Sequence, residues 1–320
     1  MSKKKKFISK NKIRIVFFGT PDFAASILAF LLDAQVEVAA VITQPDRPRG
    51  RSLQTSPSPV KFCLIERGLT LPIFQPEKAS EPGFLEKLKQ IQADLFVVVA
   101  FGQILPQSLL DIPPKGCINV HASLLPKYRG AAPIQRSLLH GEKETGVAIQ
   151  KMVKQLDAGD VIATAKVEIL PNMTYGELET ELCELSKPLL LLVLQFFEKG
   201  IPAAEPQNHS LATYAPKIAT EEAEIRWDKS ADDIHNQIRA FSPRPGAWCW
   251  ISAANGEKKR VKILRSIVRE LKGSPGIVAT HDGVVGCGSG SLQIIEIQPE
   301  GKKAMSASEW LRGFRTLPHF

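Results

Sequence analysis

Apolar residues change their spacing along this chain at about residue 200. Before that point, Ile13-Arg-Ile-Val-Phe-Phe18 and Asp94-Leu-Phe-Val-Val-Val-Ala100 are nearly continuous apolar runs. Such runs mark parallel strands covered on both faces. Residues 36–43, 117–120, 147–153 and 161–170 read as further strands. Residues 23–33 carry apolar positions at helical spacing after Gly19-Thr-Pro-Asp22, with Thr20 or Asp22 as the candidate cap. Residues 174–198 read as a long helix. Strands alternating with helices predict an open, mostly parallel α/β sheet.

Ile201-Pro-Ala-Ala-Glu-Pro-Gln-Asn208 is polar and proline-containing, the composition of a linker. Beyond it, a helix at 231–241 is followed by short strand-like runs at 247–251, 260–268, 276–280, 283–286 and 292–297. Asn255-Gly256, Ser274-Pro275-Gly276 and Asp282-Gly283 punctuate them. That rhythm predicts a small, OB-like β-barrel, closed by a helix near 306–313. The expected division is a basic tail at 1–12, a catalytic domain at 13–200, a linker at 201–210 and the barrel at 211–320.

Composition narrows the class. The 320 residues are 44% hydrophobic and 23% charged, as in a soluble globular protein. The longest apolar stretch, 189–197, is broken by Gln195 and is too short to span a bilayer, so no membrane partner is expected. No apolar run near the N-terminus is long enough for a signal peptide. Cysteines 63, 117, 183, 249 and 287 are scattered and odd in number, which argues for reduced thiols in a cytoplasmic protein. The net charge is +8. Residues 1–12 hold six lysines and no acid and are expected to be disordered; residues 211–320 hold 16 Lys and Arg against 12 Asp and Glu. Positive charge at those two places suits contact with a polyanion.

The candidate chemistry lies in Gly116-Cys-Ile-Asn-Val-His-Ala-Ser-Leu-Leu-Pro126 and Leu156-Asp-Ala-Gly-Asp160. Asn119 and His121 are two apart on a strand and therefore share a face. Asp157 follows another strand, with Gly159 permitting a tight turn. An amide donor for an oxyanion, an imidazole that titrates near neutral pH and an acid to orient it suit acyl transfer to an amine. A plain structural Asn–His–Asp network remains open on these residues alone. Ser123 as a hydrolase nucleophile is disfavoured: it sits two residues from His121, outside any Gly-x-Ser-x-Gly elbow. Metal-ligand spacing is missing, so no metal is expected. Gly19-Thr-Pro-Asp22 also lacks the later glycines of a dinucleotide fingerprint. Thr43-Gln-Pro-Asp-Arg-Pro-Arg-Gly-Arg-Ser52 is a long connection bearing Arg47, Arg49 and Arg51, side chains suited to phosphate.

Taken together, Ile118-Asn-Val-His-Ala-Ser-Leu-Leu-Pro126, Tyr128-Arg-Gly-Ala-Ala-Pro-Ile-Gln135, Glu144-Thr-Gly-Val147 and Leu156-Asp-Ala-Gly-Asp160 resemble the signature of the folate-dependent formyltransferases. Phe18-Gly-Thr-Pro-Asp-Phe-Ala-Ala25, Pro57-Ser-Pro-Val-Lys61 and Gln298-Pro-Glu-Gly-Lys-Lys-Ala-Met-Ser306 are similar to the branch that formylates methionyl-tRNA. The resemblance runs from about residue 13 to the C-terminus. It implies a Rossmann-like catalytic domain followed by a barrel that binds tRNA. It implies transfer of a formyl group from 10-formyltetrahydrofolate to methionyl initiator tRNA by a monomer. Asn119, His121 and Asp157 would be the catalytic trio, Ser123, Leu124, Leu125 and Pro126 the folate-binding segment, and Arg51 a tRNA contact. After Arg51 the chain departs from the pattern, with Ser52-Leu53-Gln54 where some members carry glycine and two lysines. The same superfamily includes enzymes that formylate amino sugar nucleotides, which the catalytic motifs alone do not separate.

Overall fold

The computed structural model describes residues 12–49, 54–252, 258–271, 273–314 and 316–320. The N-terminal residues 1–11 of the expected basic tail, Arg51 and the Asn255-Gly256 turn lie outside the described residues. By contacts the chain forms two compact units that are not contiguous in sequence. The first comprises Met1–Arg129, Gly146–Lys166 and Leu182–Thr213; the second comprises Gly130–Thr145, Val167–Glu181 and Tyr214–Phe320.

A seven-stranded sheet organises the first unit. Its strands are β1 (Arg14–Gly19), β2 (Glu37–Ile42), β3 (Ile73–Phe74), β4 (Leu95–Val99), β5 (Cys117–His121), β6 (Glu144–Lys151) and β7 (Val161–Glu168). The order is β7-β6-β5-β4-β1-β2-β3. The neighbours from β5 to β3 all pair in parallel, while β6 runs antiparallel to β5. The apolar runs explain the parallel core: β4 is buried at every position, and β1 at all but its first. Phe18 packs against Phe96 in a tilted contact and against Phe101 edge-on, at centroid distances of 5.3 and 5.4 Å. The chain goes from β1 outward to β2 and β3, then returns to place β4 on the other side of β1. That reversal leaves a crevice at the carboxyl ends of β1 and β4, the usual ligand position in such sheets.

The helix Asp22–Asp33 buries Ala24, Ile27, Leu28 and Leu31, one stripe at helical spacing. The expected cap is corrected here. Pro21 occupies the N-cap position without a side-chain bond; Asp22 is already in the first turn. Thr20 instead donates its hydroxyl to the Phe101 carbonyl at 2.9 Å. Gly19 is fixed by close approach, since a Cβ there would lie 2.7 Å from that of Ala24.

The second unit holds an antiparallel sheet of Ala247–Ser252, Lys258–Arg269, Ser291–Pro299 and Val284–Gly286, with Met305–Ser306 added to Ser291–Pro299. Period-two alternation sorts its faces: Ala247, Cys249, Ile251, Val261 and Ile263 are buried. The run expected as a strand at 276–280 forms only single bridges, Ile277 with His319 and Val278 with Val285. Helix Ala231–Phe241 packs against this sheet, and Ser230 caps it by accepting the Asp233 N–H at 3.1 Å. Among the described residues no helix is long and apolar enough to cross a membrane. None of the five cysteines forms a disulfide.

Candidate active site

Strand β5 delivers Asn119 and His121 on one face at the carboxyl edge of the sheet. Cross-strand register sets Gln150 of β6 opposite Asn119, and Ala148 opposite His121. The turn after β6 then brings Asp157 back over the same face. Asp157 Oδ1 accepts from Gln150 Nε2 at 2.8 Å and from Asn119 Nδ2 at 3.4 Å. Its other oxygen, Oδ2, faces His121 Nδ1 at 3.7 Å. The His121 and Asp157 side chains are only 6% and 12% exposed. His121 Nε2 lies 2.8 Å from the Tyr128 carbonyl. A carbonyl only accepts, so Nε2 carries a proton and Nδ1 is the atom turned to the carboxylate.

Backbone geometry makes this possible. Asp157 itself takes the left-handed conformation at φ 46°, whereas the sequence pattern pointed to Gly159 for the turn. Gly159 is needed for a different reason: a Cβ there would lie 1.8 Å from the Lys151 carbonyl. Tyr128 also has a positive φ, 60°, and its N–H donates to Thr213 Oγ1 at 2.9 Å, which presents its own carbonyl to His121. Gln150 was not apparent from the sequence. Its signal is the antiparallel register between β5 and β6, which a one-residue slip would abolish.

Ser123, Leu124, Leu125 and Pro126 follow β5 directly. Ser123 is fully buried and donates its hydroxyl to the Lys127 carbonyl at 2.6 Å, so it shapes the loop. The Leu125–Pro126 peptide is cis. Leu124 lies against β6, where a Cβ on Gly146 would come within 2.6 Å of it. The arginine-rich connection is anchored at its base. Residues 47–49 and 54–56 pair as a short antiparallel hairpin. Lys61 bonds Asp46 at 2.6 Å and Gln75 at 2.9 Å, and Arg47 bonds Glu77 at 2.9 Å. Ser58 caps the helix Pro59–Glu66 and receives the Thr43 hydroxyl at 2.7 Å.

The second unit offers a charged, aromatic face. Trp250 is 48% exposed and pairs across the strands with Arg260; Trp248 pairs with Lys262 and Ser252 with Lys258. The Arg260 guanidinium sits 4.0 Å over the Trp248 ring, a cation–π contact.

The formyl transferase family matches residues 12–194, and its C-terminal domain matches residues 217–315. A methionyl-tRNA formyltransferase of Protochlamydia amoebophila is 51% identical over 306 residues, covering 94% of this chain and 95% of that protein. The chain belongs to the methionyl-tRNA formyltransferase family. A second member, from Moorella thermoacetica, is 45% identical over 96% of this chain and 98% of its own length. The fold is shared with more distant solved structures. HypX from Aquifex aeolicus, solved with tetrahydrofolic acid, has a TM-score of 0.64 at 18% identity, over 94% of this chain and 47% of its own. An N-formyltransferase from Helicobacter canadensis, solved with folinic acid and dTDP-3-aminofucose, has a TM-score of 0.64 at 19% identity, over 90% and 99%. Within the methionyl-tRNA formyltransferase family, full-length coverage extends to the C-terminal unit as well as the sheet that carries Asn119.

Proposed function

We propose that this protein transfers the formyl group of 10-formyltetrahydrofolate to the α-amino group of methionyl initiator tRNA, in the cytoplasm and as a monomer. The observation that carries the reading is the convergence of Asn119, His121 and Asp157 at the carboxyl edge of the sheet, beside Ser123–Pro126. In the reaction the neutral amine attacks the formyl carbon and forms the new C–N bond. One N–H of Asn119 faces Asp157; the other is available to the oxygen on which negative charge builds. The bond from the formyl carbon to N10 of the folate then breaks. The nitrogen that attacked gives up a proton, and N10 gains one. His121, held by the Tyr128 carbonyl and facing Asp157, is the group placed to move that proton. Ser123, Leu124, Leu125 and Pro126 would bind the folate, and no metal enters the scheme.

Recognition of the acceptor is assigned to the remaining parts: Arg51 in the arginine-rich connection, and the C-terminal domain at 211–320, joined to the catalytic domain at 13–200 through 201–210. Support comes from the Lys258, Arg260 and Trp250 face, because phosphate contact needs cations and bases stack on exposed rings. The test is a parallel assay with 10-formyltetrahydrofolate and either methionyl initiator tRNA or an amino sugar nucleotide. Formylation of the tRNA alone, weakening steeply with salt, is the expected result. Formylation of the sugar alone overturns the proposal.

A further inference from the structure

Arg129 is the largest side chain that is fully buried, 1% exposed. A guanidinium in that position needs partners that satisfy its forked donors. Two of them converge on one oxygen: Nε and Nη2 donate to Gln207 Oε1 at 3.1 and 2.7 Å. Nη2 also reaches His209 Nδ1 at 3.1 Å. The consequence falls on Gln207. With its oxygen engaged by Arg129, its amide nitrogen must point the other way. There it donates to the Gly159 carbonyl at 2.7 Å and the Asp157 carbonyl at 2.9 Å, with Gln150 Oε1 at 3.3 Å.

Those two carbonyls flank Ala158, so a single amide group ties down both ends of the turn that carries Asp157. The turn needs it, because Asp157 is held at a positive φ that a residue with a side chain adopts at a cost. We propose that Gln207, oriented by Arg129, is a positioning residue of the catalytic centre that fixes the Asp157 backbone so that its carboxylate meets His121. Gln150 acts on the same residue at the other end, holding the carboxylate itself. The segment around Gln207 is thereby part of the active-site framework; Glu205 within it also pairs with Val161 by mutual backbone bonds of 2.8 and 2.9 Å. This inference rests on the reading of Asp157 as a member of the catalytic trio.

Gln207→Glu is the discriminating variant. It keeps an acceptor for Arg129 and removes the donor to the Asp157 and Gly159 carbonyls. Misplacement by about 1 Å costs on the order of 10²-fold in rate. The expected result in full-length protein is a kcat lowered by that order with KM for both substrates nearly unchanged; Tm falls as well, because a carboxylate oxygen then faces the Asp157 and Gly159 carbonyls. A second comparison separates positioning from general support. Gln207→Leu strands the Arg129 guanidinium and lowers Tm; Arg129→Met combined with Gln207→Leu removes the stranded charge and restores part of Tm, while the Asp157 and Gly159 carbonyls stay without the amide donor. If Gln207 positions Asp157, kcat stays low in the double variant. Recovery of kcat together with Tm, or wild-type kcat in Gln207→Glu, overturns the proposal. Asp157→Asn identifies which reading failed. Full turnover in that variant removes Asp157 from the trio; loss of turnover there beside a normal Gln207→Glu removes only the positioning role.

Discussion

Asp157 is 12% exposed at its side chain and shares its oxygens among Asn119, Gln150 and His121. Trp250, on the outer face of the second sheet, is 48% exposed beside Lys258 and Arg260. The first cluster is buried, and its geometry is set by bonds of 2.7–3.4 Å that reach it from three chain segments. The second consists of side chains that share a strand register and point outward. Bond making needs atoms held to a fraction of an ångström, so burial and cross-bonding are required. A polyanion needs a field and a few flat rings, and both tolerate mobility.

Breaking the first region should therefore cost more than breaking the second. Asn119→Ala removes the proposed oxyanion donor and should lower kcat by about 10²–10³-fold. His121→Ala should lose at least as much. Both should still fold cooperatively, with a Tm lowered by the lost buried bonds, read by calorimetry beside steady-state rates. Near-normal turnover in either would remove the catalytic assignment. The outer face should respond more weakly, and in binding only. Trp250→Ala should weaken tRNA binding by about tenfold, the order expected for loss of one stacked base. Lys258→Ala should reduce the slope of log affinity against log salt by about one. In both, kcat at saturating tRNA should hold; a fall in kcat with unchanged affinity would erase the distinction between the two regions.

The smallest effect is in stability. His235 in the second unit is 7% exposed, with Nε2 donating to the Pro171 carbonyl and Nδ1 facing the Ser266 hydroxyl, both at 3.0 Å. Burial, reinforced by Arg239, holds its pKa below the ordinary value, against the opposing effects of the Pro171 carbonyl and Asp232. The unfolded chain then binds a proton that the folded one refuses. Stability is complete above about pH 6.5, the ordinary histidine value, and falls as pH drops toward the folded value. His235→Gln should flatten that fall by a few degrees of Tm between pH 7 and 5. An unaltered pH dependence would show that this histidine is not its source.

The elements that were legible in the sequence are those whose apolar spacing is pure. β1 and β4 announce themselves as continuous runs, and Ala231–Phe241 was expected at its observed limits. Pro59–Glu66 and Pro82–Ile91 are not legible in this way: each opens on a proline, and proline read locally marks a break. Asn119 and His121 could be paired because they share a strand face, and Asp157 could be joined to them as an acid after a neighbouring strand. Gln150 and Gln207 could not, because their roles depend on cross-strand register and on a segment whose polar, proline-containing composition read as linker. Arg129 was legible only as part of a motif, since nothing local marks an arginine as buried.

The thiols carry a practical consequence. Burial pushes Cys117 and Cys249 far above the ordinary range and Cys287 up to about 11, and Cys183 is also buried. Cys63 alone is partly accessible, on the helix Pro59–Glu66 that follows the arginine-rich connection. Alkylating dyes at neutral pH should thus attach at Cys63 first, giving the unmutated enzyme a single fluorescent reporter twelve positions after Arg51 in the chain.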